Sequence, residues 1–231
     1  MIQYNLNKSF LFFVLKYLYF IFFIMSEKDS DDTKEIKVIL LGNSGVGKTS
    51  IITRYVNNLF NPNCETTLGS TYSTKEVEKD KVKYKLNLWD TTGQEKYHSI
   101  TNLFIKGSSI VILVYSVDLL SSFEGLDYWY KSIKENLEGN NYILAVVGSK
   151  SDLINEDEEV VSEEEAKKFA KERNAKFKLV SSKEDPEGIN NLFDMLLDEL
   201  IQMNYITVKD SYVIKRRKHK DEKDKKKKKC C

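Results

Sequence analysis

Gly42-Asn43-Ser44-Gly45-Val46-Gly47-Lys48-Thr49 fits the pattern G-x-x-x-x-G-K-[ST] and follows Ile36 to Leu41, an apolar run that reads as a buried strand. A glycine turn of this kind can aim backbone N–H groups at phosphate oxygens. The helix that follows points its positive dipole end at the same anion, and Lys48 adds a point charge. Ser44, Gly45, Val46, Gly47, Lys48, Thr49 and Ser50 are therefore candidate phosphate contacts, with the Thr49 hydroxyl offered to a magnesium ion. A glycine turn that merely joins strand to helix is the alternative, and the context disfavours it.

Outward from this stretch, strand and helix patterns alternate from about Lys34 to Tyr205, the signature of a parallel sheet with helices on both faces. Strands are predicted at 36–41, 71–78, 82–89, 110–116, 142–148 and 176–180. Glu78-Lys79-Asp80-Lys81 is a tight polar turn, so the second and third strands are predicted to form an antiparallel hairpin at the sheet edge. Ser121-x-x-Glu124 and Ser162-x-x-Glu165 each look like a capping box. They are expected to open the helices carrying Leu126, Trp129, Ile133 and Leu137, and Ala166, Phe169 and Ala170. Ile189, Leu192, Phe193, Leu196, Leu197, Leu200 and Ile201 recur at spacings of three and four, an apolar stripe for docking a last helix.

The chain of 231 residues is 41% hydrophobic, enough for one ordinary core. Its net charge of +1 is a cancellation: Lys215 to Cys231 holds 11 Lys/Arg against 3 Asp/Glu, leaving −7 on everything before it. Three organisational units follow: an extension at 1–33, one domain at 34–205 and a flexible basic tail at 206–231. Cys64, Cys230 and Cys231 have neither zinc-site nor disulfide-framework spacing, which suits a reducing compartment. Phe10 to Met25 is an apolar aromatic run interrupted by Lys16, shorter than the roughly 20 residues a membrane span needs. No small-residue cleavage site follows it, and acidic residues lie downstream, so Met25 is expected to be the true start and residues 1–24 upstream leader. In the tail, Lys225 to Lys229 alone would suit a solvated or nucleic-acid-seeking segment. Followed by Cys230 and Cys231 as lipid acceptors, it forms the two-signal arrangement of stable membrane attachment, and no nucleic acid is expected as partner.

Asp90-Thr91-Thr92-Gly93-Gln94 ends the third strand with an acid and a flexible glycine. Asp90 is expected to hold magnesium through water, the Gly93 amide to reach a terminal phosphate, and Gln94 to orient an attacking water. With these residues the chain resembles the Ras-like small GTPases, and within them the Rab family, over about residues 34–205 and again in the tail. The resemblance implies a P-loop NTPase fold with a six-stranded, mostly parallel sheet. It implies that Thr67, in Glu65-Thr66-Thr67-Leu68-Gly69, ligates magnesium only when the γ-phosphate is present, and that Phe60 stacks on guanine. Lys96 to Thr101, Phe104 to Ser108 and Leu113 to Asp118 look like Rab segments, and Cys230-Cys231 looks like a doubly geranylgeranylated terminus. His98 is expected to pack rather than to act as acid or base. The Glu-Thr-Thr-Leu-Gly and Tyr-His-Ser-Ile details resemble endosomal members most.

In that family the base is read by [NT]-K-x-D and S-A-K. Ser149-Lys150-Ser151-Asp152 keeps the lysine that stacks on guanine and the aspartate whose oxygens accept from N1 and N2. Adenine has no such donor pair, which speaks against an ATPase or nucleotide kinase on the same loop. Ser149 replaces Asn or Thr and is expected to tie the loops together less well. Ser181-Ser182-Lys183 offers a backbone amide to guanine O6. Thr92 stands where the family has alanine, and its hydroxyl is expected near the γ-phosphate, either crowding Gly93 and slowing hydrolysis or accepting a phosphoryl group. The resemblance implies a GTP/GDP switch with Mg2+, slow without an activating protein because neither switch loop holds an arginine. It further implies an exchange factor, effectors, prenyl-transfer escort and dissociation-inhibitor proteins, and work in vesicle traffic on the cytosolic face of an endomembrane. The alternative is a scaffold of the same fold, nucleotide-locked or non-hydrolysing.

Overall fold

The computed structural model describes residues 33–64, 67, 70–93, 98–154 and 161–203. The Gln94 assignment, most of the Glu65–Gly69 segment, Lys96-Tyr97, the first 32 residues and the tail with Cys230 and Cys231 lie outside the described residues. Strands β1 (Lys34–Leu41), β2 (Thr71–Lys79), β3 (Val82–Asp90), β4 (Ile110–Ser116), β5 (Ile143–Ser149) and β6 (Lys176–Val180) form one sheet in the order β2-β3-β1-β4-β5-β6. Every neighbour pair is parallel except β2 with β3, the predicted hairpin. Its turn is two residues long, Asp80 and Lys81, both at positive φ between the Lys79–Val82 pair. That backbone matches the right-handed twist of the flanking strands.

The helices are α1 (Lys48–Asn57), α2 (His98–Ile105), α3 (Leu120–Glu124), α4 (Leu126–Leu137), α5 (Glu163–Glu172) and α6 (residues 186–203). Alternation along the central strands splits the core in two. Val38, Leu40, Ile112 and Val114 face α1 and α6, where Ile51, Ile52, Tyr55 and the predicted stripe from Ile189 to Leu200 are buried. Ile39, Leu41, Val111 and Leu113 face the other layer, with Ile105, Trp129, Ile133, Ala166 and Ala170. Tyr55 of α1 stacks on Phe193 of α6, ring centroids 3.8 Å apart, so these two helices share one aromatic contact beneath the sheet.

One of the two serines caps its helix and one does not. Ser162 caps α5, its hydroxyl accepting from the Glu165 amide at 3.2 Å. Ser121 instead lies inside α3, whose cap residue is Leu119, and the helix breaks at Gly125 before α4 begins. The reason is the neighbouring hydroxyl: Ser122 donates to the Leu119 carbonyl at 2.6 Å and accepts from the Ser116 amide at 2.9 Å, which starts the turn two residues early.

The fold matters to function through strand order. The chain leaves β1 toward α1, β2 and β3 on one side and returns to β4 on the other, so a crevice opens beyond the C-terminal end of β1. The loop from Gly42 to Gly47 sits there.

Candidate functional site

The cradle is built as its glycines require. Gly47 caps α1 in the left-handed region (φ 93), a conformation that costs other residues about 1–2 kcal/mol. Val46 is buried and Lys48 is 5% exposed. With its aliphatic stem buried, the Lys48 ammonium donates to the carbonyls of Gly42 and Asn43, both at 2.8 Å. Burial pulls its pKa down to about 8, and the nearby Asp90 carboxylate pulls it back up in part. Ser44, Gly45, Gly47, Lys48, Thr49, Ser50, Thr67, Thr91 and Gly93 line one cleft, and Cys64 joins them at its rim.

At one end of this cleft three oxygen-bearing side chains converge. Thr49 Oγ1 donates to Asp90 Oδ2 at 2.7 Å, and Thr67 Oγ1 lies 2.8 Å from Thr49 Oγ1 and 3.5 Å from the same carboxylate oxygen. Asp90 is 3% exposed, and its Oδ1 is buried without a hydrogen-bond partner. Burial pushes the carboxyl above its ordinary pKa, against the Thr49 hydroxyl and the Lys48 ammonium, which pull it down. A buried carboxylate oxygen lacking a partner, beside two hydroxyls, is a hard donor set that fits magnesium. No cluster of three or more His, Cys, Asp or Glu suited to a metal occurs among the described residues, so the rest of an ion's shell would have to come from phosphate and water.

Gly93 packs directly on the cradle. A Cβ there would fall on the backbone of Asn43 and Ser44, so only glycine allows this approach. Thr92 is buried, and its neighbours Thr91 and Gly93 are the ones that line the cleft. Thr91 is committed elsewhere, donating to the Leu40 carbonyl at 2.7 Å.

Beside the cradle lie the residues assigned to the base. The Asp152 side chain is only 8% exposed, with Oδ1 accepting from the Ser181 hydroxyl at 2.5 Å and Oδ2 lying 3.9 Å from Lys183 Nζ. Ser181 Oγ in turn accepts from the Glu184 amide at 3.0 Å, so the carboxylate is held from behind. Lys150 adopts a left-handed backbone (φ 59), its ammonium 3.7 Å from Asp118. Phe60 is half-buried, two residues past the left-handed Asn58 that ends α1. Ser149 reaches both the Val46 carbonyl and, at 2.8 Å, the Tyr115 carbonyl. Its hydroxyl has one proton for two acceptors, where an asparagine amide has two, so it can donate to only one carbonyl at a time.

Asn43 is the functional residue that sequence reasoning passed over. Its Oδ1 accepts from the Trp129 indole N–H at 3.1 Å and its Nδ2 donates to the Ser121 carbonyl at 3.3 Å. Gly125 leaves room for the carboxamide, since a Cβ there would come 2.7 Å from it. Trp129, read as core alone, also braces the cradle, and the glycine at the helix break was the one available signal.

A glycine-rich loop between strand and helix at the switch point of a parallel sheet, with a buried carboxylate and two hydroxyls beside it, defines a P-loop fold. Residues 37–202 match the model of the Ras family. Rab-22A of Homo sapiens is 37% identical over 160 residues, 69% of this chain and 80% of that protein. Rab-18 of Caenorhabditis elegans is 34% identical over 178 residues, 77% of this chain and 86% of that protein. Rab-11B of Dictyostelium discoideum is 37% identical over 175 residues, 74% and 78% of the two chains. The chain belongs to the Ras family and within it is a Rab-type small GTPase.

Proposed function

We infer that this Rab-like GTPase regulates membrane traffic as a switch that binds and hydrolyses GTP. The observation that carries the reading is a nearly buried Asp152 carboxylate, braced by Ser181, three residues after Ser149, whose hydroxyl reaches the Val46 carbonyl of the phosphate loop. The carboxylate accepts the two donors of guanine, the Ser181–Lys183 loop supplies an amide for O6, and the aromatic face of Phe60 with the stem of Lys150 encloses the base. Lys48 leaves its two carbonyls for phosphate oxygens, whose negative charge offsets the burial that lowers its pKa.

Thr49, Thr67 and Asp90 would hold Mg2+, which supplies charge neutralisation at the β- and γ-phosphates when bound. Thr67 would reach the ion, and the Gly93 amide a phosphate oxygen, when the nucleotide carries its third phosphate, so loading orders two surface loops and hydrolysis frees them. Gln94 orients the attacking water. Without an arginine in those loops, turnover is slow until an activating protein supplies the missing charge. An exchange factor, effectors that read the ordered loops, and escort and dissociation-inhibitor proteins complete the cycle. Cys230 and Cys231 take prenyl groups and, with the lysine run, attach the domain of residues 34–205 to the cytosolic face of an endomembrane. Among the described residues no helix is long and apolar enough to cross a membrane.

The test is calorimetric titration of GDP, GTP and ATP into nucleotide-stripped protein with and without magnesium. Magnesium-dependent, guanine-selective binding is expected. A folded protein that takes up none of the three defeats the proposal and leaves a scaffold.

A further inference from the structure

We propose that Arg54, a residue outside every nucleotide motif, is a positioning residue for the guanine pocket: its guanidinium clasps the loop after β6 to the end of α1 and so fixes the amide that reads the base. This rests on the guanine specificity proposed above. Arg54 Nε donates to the Ser182 carbonyl at 2.7 Å and Nη2 to the Lys183 carbonyl at 3.4 Å. On the other edge, Nη1 donates to the Asn58 carbonyl at 2.9 Å and lies 3.4 Å from Asn58 Oδ1. Asn58 is the left-handed cap of α1, its own amide bonded back to the Arg54 carbonyl at 2.9 Å.

One planar fork thus joins the two segments expected to meet the base, Ser181–Lys183 and the turn leading into Phe60. A lysine, with a single compact ammonium, cannot span both edges. The geometric consequence follows from peptide planarity, since fixing a carbonyl fixes the N–H on the other side of the same plane. The peptide before Ser182 is pinned through the Ser181 carbonyl, which accepts from the Asp185 amide at 3.0 Å. The peptide after Ser182 is pinned by Arg54. Both planes flanking Ser182 are therefore set, and with them the direction of the amides offered to guanine O6.

The experiment uses the full chain with Arg54→Ala and Arg54→Lys, the second in case the first folds poorly. Affinities are measured for GDP and for 6-thio-GDP, which keeps the donors read by Asp152 but presents a larger, weaker acceptor at position 6. Arg54→Ala is expected to weaken GDP about tenfold and 6-thio-GDP only about twofold, narrowing the discrimination about fivefold, with Arg54→Lys between. A purely structural role would lower the melting temperature and weaken both ligands equally. Equal loss, or no loss, in variants that remain folded overturns the inference while leaving guanine specificity intact. Wild-type protein that binds neither nucleotide sinks the guanine reading itself.

Discussion

Replacing Gly93 by alanine should separate the two nucleotide states. The added Cβ would sit 2.5 Å from the Asn43 carbonyl oxygen and closer still to Asn43 C and Ser44 N. These are backbone atoms of the loop that Trp129 and Ser121 clamp through the Asn43 side chain, so they cannot easily yield. Ordinary contact begins at 3.4 Å. The Gly93 segment must therefore retreat by about 1 Å, which stretches a hydrogen bond of roughly 2.9 Å beyond useful length. A hydrogen bond to a charged group contributes about 1.5–3 kcal/mol, so binding of a triphosphate should weaken roughly 10- to 150-fold. GDP lacks the phosphate that this amide would meet and should change by less than about threefold. Competitive titration with a non-hydrolysable GTP analogue and with GDP, in magnesium, measures both. Equal weakening of the two ligands in a folded variant would refute the reasoning, because it would mean that Gly93 supports the cradle as a whole rather than the third phosphate.

Thr49→Ala should reduce magnesium-dependent affinity for both nucleotides, whereas Thr67→Ala should affect the triphosphate alone; chelator titrations of the two variants check the split. Phe193→Ala removes a ring that is 1% exposed and stacked on Tyr55, and should cost about 3–5 kcal/mol in denaturant unfolding while leaving the GDP/ATP preference unchanged. Thr92→Ala should leave single-turnover hydrolysis within about twofold of wild type with no labelled protein in either form, since Thr91 and Gly93, not Thr92, line the phosphate cleft. A large rate change, or label retained on the wild-type chain, would return Thr92 to the reaction.

The six strands and the hairpin could be read directly because each is a local statement. An apolar run such as Ile110 to Ser116 is buried along its whole length, and Asp80-Lys81 supplies the two positive φ values that a two-residue hairpin turn needs. The phosphate loop, Asp90 and Asp152 were legible for a related reason. Each stands at the end of a strand of the same sheet, so parallel topology alone gathers three separate motifs at one edge. The supporting residues were not legible, because their roles exist only across the fold. Arg54 meets a loop 128 residues away, and Asn43 meets an indole 86 residues away. Neither spacing leaves a periodicity to detect. The Ser121 capping box failed on the same ground: its pattern is present, but the Ser122 hydroxyl answers to the Ser116 amide at the end of β4, a partner outside the local window. The phosphate loop, Asp90 and Asp152 are thus written in short contiguous motifs at or just beyond strand ends, while the side chains that hold them in place are scattered along the chain. Nucleotide selectivity in this protein should accordingly respond to Arg54, which no motif contains, and to Asn43, which stands at a position the phosphate-loop pattern leaves unspecified, as well as to the residues that the motifs name.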